Sequence, residues 1–153
     1  MADVVTPAVR SRMMAGIRSK NTKPELLVRK ELHRLGFRYR LHAKDIPGSP
    51  DFVLPRYRVA FFVNGCFWHG HNCHLFKLPS TRAKFWKTKI ERNVQRDLEV
   101  KNQLAEKDWR RVVVWECALK GKMKLELNQL LSAIASCVTN DECNREFSGY
   151  RER

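Results

Sequence analysis

The segment Asn64 to Cys73 reads NGCFWHGHNC and brings metal-binding and aromatic side chains together within ten residues. Cys66, His71 and Cys73 follow the spacing C-x4-H-x-C. Thiolates and imidazoles at such short spacings are typical of a zinc site, because the chain between them can wrap a single ion. The segment therefore predicts a metal centre.

The fourth ligand of a tetrahedral zinc ion must come from another position. Cys117 is the natural choice, because it follows the run RVVVW, which predicts a strand close to the strand over residues 58–63. His69 and His74 are the competing ligands. A Cys3His set leaves no open coordination position, so the zinc would hold the loop in place without taking part in chemistry. The plainer alternative is a group of unrelated buried cysteines and surface histidines.

Phe67 and Trp68 lie inside this loop, which is followed by a basic stretch. Aromatic side chains on a rigid loop can stack on nucleic-acid bases or wedge between them, which costs unstacking energy. The other interpretation is that both rings belong to the core. Adjacent residues on a short loop rarely both bury, so at least one ring is expected to be free.

Asp51 follows the breaker-rich run IPGSP and opens a predicted strand. A carboxylate at the start of one strand, facing the end of the next strand at Asn64, can present a hard oxygen ligand to Mg²⁺. His69 can take a proton from water near neutral pH. Together they would complete a metal-assisted hydrolysis of a phosphodiester, in which Asp51 holds the ion and His69 activates the water.

The elements that would position these groups can be read from caps and hydrophobic periodicity. Thr22 to Glu25 matches a capping box and predicts a helix to about Leu35, ended by Gly36. Strands are predicted over 37–41, 51–54, 58–63 and 111–115, a long helix over about 85–104, and a final helix over about 122–138. This order predicts an α/β or α+β fold with a central mixed sheet flanked by helices.

The charge of the chain points to a polyanionic partner. The 153 residues fit one domain and carry a net charge of +14. Residues 1–44 hold 11 Lys and Arg against 3 Asp and Glu, and residues 77–96 hold 7 against 1, so these net charges of +8 and +6 account for the whole excess. Nucleic acid is the expected partner. A solvated basic surface is the alternative.

The start of the chain lacks the apolar run of a signal peptide, and no stretch approaches the roughly 20 apolar residues of a membrane span. A soluble, intracellular protein without a membrane partner is therefore expected. Five cysteines in such a chain argue against a disulfide framework. Cys137 and Cys143 stand apart from the cluster and are expected to be bystanders.

The sequence resembles the very short patch repair (Vsr) DNA mismatch endonucleases over roughly residues 8–125. Met14, the Thr22-x-x-Glu25 pattern, and the segments PGSPDFV, NGCFWHGHNC, LFKLPSTRAKFWKTKIERNVQRD and VVVWECALKGK carry the resemblance. It implies a restriction-endonuclease-like core. We expect a DNA-binding arm over 1–20, an endonuclease domain over 21–138, and a tail over 139–153 whose polar composition predicts flexibility.

The resemblance also implies a catalytic magnesium site. Asp51 and the main-chain carbonyl of Val63 would hold the ion, and His69 would act as general base. Glu25 is implied to orient water at the magnesium, although a capping-box role explains this residue equally well. The resemblance implies that Asp97 has a similar supporting role, without binding the ion directly.

The zinc and DNA contacts follow from the same resemblance. The implied structural zinc ligands are Cys66, His71, Cys73 and Cys117. Phe67, Trp68 and Trp86 match aromatic residues that wedge into DNA from the major groove, while the arm with Met14 lies across the minor groove.

The activity implied is a nick in one strand of double-stranded DNA, immediately 5′ of the thymine of a T:G mismatch left by deamination of 5-methylcytosine. That nick starts very short patch repair. We expect a monomer in the bacterial cytoplasm, at the nucleoid when acting, with other mismatch-repair proteins or a repair polymerase as further partners.

Asn64 departs from the family pattern, since many members carry a second histidine there. An asparagine can hydrogen-bond a phosphate but cannot carry a proton. Either His69 suffices, or the rate and its pH dependence are altered; we expect activity to survive.

Two other functions fit the residues. One is a Vsr-like nickase for another mismatch or sequence context, serving in defence against foreign DNA. The other is a zinc-stapled DNA-binding module without catalysis, which Asn64 favours and which Asp51 and His69 argue against.

Overall fold

The computed structural model describes residues 22–141 and 143–150. Met14 and the N-terminal arm predicted over 1–20 lie outside these residues. The helices are α1 (Lys23–Arg34), α2 (Ala83–Glu106), α3 (Glu116–Leu119) and α4 (Leu127–Thr139). The strands are β1 (Arg40–Leu41), β2 (Phe52–Leu54), β3 (Val59–Asn64), β4 (Arg110–Trp115) and β5 (Arg145–Phe147). In the described part of the chain, no helix is long and apolar enough to cross a membrane.

The five strands form one sheet in the order β1-β2-β3-β4-β5. β1, β2 and β3 pair antiparallel, whereas β3, β4 and β5 run parallel. The connection between β3 and β4 carries α2, as a parallel crossover requires. The prediction of a mixed sheet flanked by helices is therefore confirmed.

The central strands are buried on both faces, which explains their continuous apolar sequence. Along β3, Val59 and Phe61 pack into the cluster that contains Val28 of α1 and Ile134 of α4. The alternate residue Ala60 packs on the opposite face, with Leu104 of α2. The fold thus has three layers, with α1 and α4 on one face of the sheet and α2 on the other.

The beginning of α1 agrees with the predicted cap. Thr22 adopts an extended backbone, and its Oγ1 accepts a hydrogen bond from the main-chain N–H of Glu25 at 3.3 Å. Pro24 occupies the first turn, where its missing N–H costs nothing. The helix ends at Arg34, and Gly36 takes a φ of +102°.

The C-terminal part of the chain differs from the prediction in two places. The final helix begins at Leu127, later than the predicted start near residue 122, because the carboxylate of Glu126 caps it by accepting from the N–H groups of Asn128 and Gln129. Within the tail predicted as flexible, Arg145–Phe147 form β5 and pair with β4. Phe147 is 3% exposed and belongs to the core.

Cys137 and Cys143 are joined in a disulfide, with their Cα atoms 5.2 Å apart. The expectation that a disulfide is unlikely is therefore wrong, although both cysteines do lie outside the cluster of potential metal ligands. The chain turns back after α4, where Cys143 N–H donates to the carbonyl of Asn140 at 3.0 Å, so residues six positions apart meet. The buried guanidinium of Arg110 stabilises this turn by donating to the carbonyls of Cys137 and Val138 at 3.1 and 2.7 Å.

Candidate active site and metal centre

Asp51 precedes β2, and antiparallel pairing sets it beside the end of β3. Its main-chain N–H donates to the carbonyl of Phe61 at 3.0 Å, and its Oδ2 accepts from the N–H of Val63 at 2.6 Å. The loop that delivers Asp51 contains Gly48 at a φ of +82°, where a Cβ would lie 2.5 Å from a methyl group of Val100 on α2. The glycine therefore lets the loop pass close to the helix.

The side chain of Glu25 reaches Asp51 from α1. Glu25 is 2% exposed and its carboxylate also contacts the guanidinium of Arg29. Burial raises the pKa of Asp51 from 3.8 to about 7; the hydrogen bond from Val63 opposes this, and the charge and hydrogen bond of Glu25 raise it further. Two carboxyl groups withdrawn from water at one point form the hard oxygen donor set that suits a divalent cation.

His69 lies on the loop that follows β3 and is oriented by α2. Its Nδ1 lies 2.6 Å from Oδ2 of Asp97. A carboxylate at Nδ1 favours the tautomer that leaves Nε2 unprotonated and able to accept a proton. An electrostatic interaction with His69 also lowers the pKa of Asp51, although less than burial raises it, so the imidazole and the carboxyl group are neighbours.

Four residues form a cluster that can hold a metal ion: their ligand atoms lie within 4.8 Å of one another, and they are Cys66, His71, Cys73 and Cys117. Sγ of Cys117 lies 3.6 Å from Nδ1 of His71. The sheet topology explains why these four residues lie together, because Asn64 and Trp115 are in register at the ends of the parallel strands β3 and β4. The segments that follow both strands therefore leave the same edge of the sheet.

Main-chain N–H groups surround the two buried sulfurs. Cys117 N–H donates to Sγ of Cys66 at 3.3 Å, and Gly149 N–H donates to Sγ of Cys117 at 3.2 Å. Burial raises the pKa of both thiols in the metal-free protein, and the N–H groups oppose that effect. Metal binding to this set must therefore displace protons from thiols.

An aromatic cluster forms around Phe67 and Trp68 of the same loop. The ring of Phe67 is 5.1 Å from Trp68 and 5.6 Å from Trp86, and the two tryptophans are 5.8 Å apart. Phe76 and Phe85 extend the cluster. Phe67 and Trp68 are both partly buried, so neither residue is fully enclosed in the core.

Two residues near these rings were not predicted as site residues from the sequence. Nζ of Lys89 lies 5.6 Å from the ring centroid of Trp68 and 5.8 Å from that of Trp86. Nδ2 of Asn93 donates to the carbonyl of Trp68 at 2.8 Å. Helical spacing could have found them, because positions 86, 89, 93 and 97 share one face of α2.

The structure thus brings Asp51, Glu25, His69 and Asp97 to one region, where β2 begins and β3 ends. Trp115 contacts both His69 of this region and His71 of the four-ligand cluster. Asn64 is the last residue of β3 and is partly buried. Met14 lies outside the described residues.

Comparison with known proteins gives the family. A family model described as DNA mismatch endonuclease Vsr matches residues 2–75. The chain is 46% identical to DNA mismatch endonuclease Vsr of Escherichia coli strain K12 over 125 residues, which are 82% of this chain and 80% of the relative.

Two other relatives are similar over most of their length. The type II nicking enzyme V.XorIIP of Xanthomonas oryzae pv. oryzae is 47% identical over 133 residues, covering 86% of this chain and 98% of the relative. The type II nicking enzyme V.NmeAIP of Neisseria meningitidis is 43% identical over 140 residues, covering 90% and 100%.

Proposed function

The chain belongs to the Vsr family of DNA mismatch endonucleases, and from this premise we propose that it nicks double-stranded DNA 5′ of the thymine of a T:G mismatch. The meeting of Asp51, Glu25 and His69 at the ends of two strands carries the proposal. Hydrolysis at this position would start very short patch repair of deaminated 5-methylcytosine. The protein would act as a monomer in the bacterial cytoplasm, on nucleoid DNA, before a repair polymerase or other mismatch-repair proteins.

The carboxylate of Asp51 and the main-chain carbonyl of Val63 would hold magnesium. Magnesium, when bound, would polarise the scissile phosphate and stabilise the charge that develops on its oxygens. Glu25, held by Arg29, orients water beside Asp51. Because Val63 would contribute through its main chain, its side chain can vary without loss of the site.

His69 takes the proton of the attacking water at Nε2. Asp97 holds the proton on Nδ1 and so keeps Nε2 available. Asn64 cannot exchange protons and would instead donate a hydrogen bond to a phosphate oxygen. One histidine therefore carries the general-base role in this chain.

Zinc at Cys66, His71, Cys73 and Cys117 would fix the loop that carries His69. Thiolates and one imidazole are the donors that zinc prefers in closed structural sites. The rigid loop then presents Phe67 and Trp68, with Trp86 of α2, as a wedge against the DNA bases. The arm with Met14 would contact the minor groove.

Exposed basic residues of α2 would bind the phosphates that flank the wedge; they are Lys84, Lys87, Lys89, Arg92 and Arg96.

A second candidate keeps the chemistry and changes the substrate. Several relatives are named type II nicking enzymes, which favours a nickase for another mismatch or sequence context.

End-labelled duplexes separate the two candidates. We expect a Mg²⁺-dependent cut 5′ of the mispaired T in a CTAGG-type context and no cut in the matched duplex. A cut confined to another context would support the second candidate. Tight DNA binding without any cut, across mismatches and contexts, would contradict both and favour a non-catalytic DNA-binding module.

A further inference from the structure

The last described residues reach the four-ligand cluster. We call residues 145–150 the C-terminal segment; it comprises β5 and the three residues after it. Beyond β5, the main-chain N–H of Gly149 donates to Sγ of Cys117 at 3.2 Å. The next N–H, of Tyr150, donates to the carbonyl of Met123 at 2.6 Å and fixes the path of the chain.

Gly149 approaches the cluster too closely for any side chain. A Cβ at this position would lie 2.5 Å from the carbonyl oxygen of Cys117 and 2.7 Å from that of Met123. Real Cβ atoms do not approach backbone atoms to such distances, so any other residue would push the segment away. Glycine is therefore the residue that allows its N–H to meet the sulfur.

A second contact runs from β5 through an indole ring. Oε1 of Glu146 accepts from Nε1 of Trp115 at 2.9 Å. The ring of Trp115 stacks on His71, with centroids 4.2 Å apart and planes 14° apart, and it also meets His69 at 6.0 Å. Glu146 thus fixes the plane of the ring against which a metal-ligand histidine rests.

We propose that the C-terminal segment is a positioning element of the metal centre. Gly149 orients Cys117 and stabilises its thiolate, and Glu146 orients His71 through Trp115. Outer contacts of this kind govern how strongly a site retains its metal, typically by 10–100-fold in affinity. The inference rests on the proposed zinc occupancy of the cluster.

The first test compares two truncations of the zinc-loaded protein. A chain ending at Phe147 retains β5 and its core residue but lacks Gly149, whereas a chain ending at Tyr150 retains the whole segment and is the matched control. Zinc release to a chromogenic chelator is the readout. We expect release from the shorter chain to be roughly tenfold faster and release from the control to match the full chain.

Equal release from all three chains would overturn the proposal. Metal content of the full chain, measured first by mass spectrometry, separates this outcome from failure of its premise. A full chain purified without zinc, and unable to take up added zinc, would overturn the proposed zinc site and the positioning role together.

Two substitutions at Glu146 provide a second test that leaves the chain length unchanged. Glu146→Gln keeps an acceptor for the indole N–H but loses the charge that faces Arg111, whereas Glu146→Leu loses both. We expect faster zinc release from Glu146→Leu and release close to wild type from Glu146→Gln. Equal rates for the two variants would count against positioning through Trp115.

Discussion

Nδ1 of His69 lies 2.6 Å from Oδ2 of Asp97, so the loop after β3 and the helix α2 meet at one imidazole–carboxylate pair. Hydrogen bonding of this kind fixes both the tautomer and the orientation of a catalytic histidine. The neighbouring residues on α2 contact the aromatic cluster through Lys89 and Asn93. One helix face therefore links the proposed base to the proposed DNA wedge.

Asp97→Asn should slow nicking while DNA binding persists. Asparagine keeps the shape of the side chain but loses the charge and permits the wrong tautomer of His69, so we expect a decrease of roughly 10²-fold or more in single-turnover rate. Glu99→Gln, an exposed acid-to-amide change on the same helix, is the control. An undiminished rate for Asp97→Asn would contradict the pairing as a catalytic feature.

The pKa of Asp51 predicts how pH affects the stability of the metal-free protein. This pKa is raised from 3.8 to about 7, chiefly by burial. Between these values the folded state binds a proton that the unfolded state has released, so the free energy of unfolding falls as pH rises and levels off above about pH 7. Asp51→Asn removes this titration. The Tm of the variant minus the Tm of wild type should therefore increase as pH rises from 3.8 to about 7.

Thermal unfolding without added Mg²⁺, followed from pH 4 to 8, measures this effect. Asp45→Asn, at an exposed carboxylate, is the control and should show no comparable trend. A Tm difference between Asp51→Asn and wild type that does not change with pH would contradict the assignment.

Removal of zinc should make three cysteine thiols reactive. Cys66, Cys73 and Cys117 are free thiols, whereas Cys137 and Cys143 form the disulfide. A thiol reagent should find these three thiols protected in the zinc-loaded protein and reactive after chelation. Since metal binding displaces protons from the buried thiols, zinc should also dissociate as pH falls. Five reactive thiols in the unreduced, denatured protein would refute the disulfide.

Trp68→Ala should weaken mismatch recognition more than general DNA binding. Stacking of a base on an aromatic ring is worth about 1–3 kcal/mol, so a loss of about tenfold is expected on the mismatched duplex alone. Lys87→Ala is the contrast, because loss of a phosphate contact should weaken both duplexes equally and reduce the salt dependence. Equal losses on both duplexes for Trp68→Ala would argue against the wedge.

The central strands and the ligand cluster could be predicted because apolar runs mark buried strands and the closely spaced Cys and His residues mark a metal site. The apolar run of β3 reflects burial on both faces, and the ends of two parallel strands must emerge at one edge, which brought Cys117 to Cys66. The N-cap at Thr22 follows from local hydrogen bonding.

Contacts whose residues carry no recognisable sequence pattern could not be predicted in this way. β5 has three residues and exists because it pairs with β4, so its polar sequence gave no signal. The disulfide depends on the turn stabilised by Arg110, and the intracellular expectation argued against it. For Glu25, the capping-box pattern suggested a local role and gave no sign that α1 packs its carboxylate against Asp51.

Strand nicking by Asp51→Asn is the decisive measurement for the proposed role of this carboxylate. Wild type and variant would be compared on one end-labelled T:G duplex in saturating Mg²⁺, with binding measured on the same duplex by fluorescence anisotropy. We expect wild type to cut 5′ of the mispaired T, and Asp51→Asn to bind with similar affinity without cutting. Cutting by Asp51→Asn at the wild-type rate would contradict the assignment of this carboxylate to the reaction.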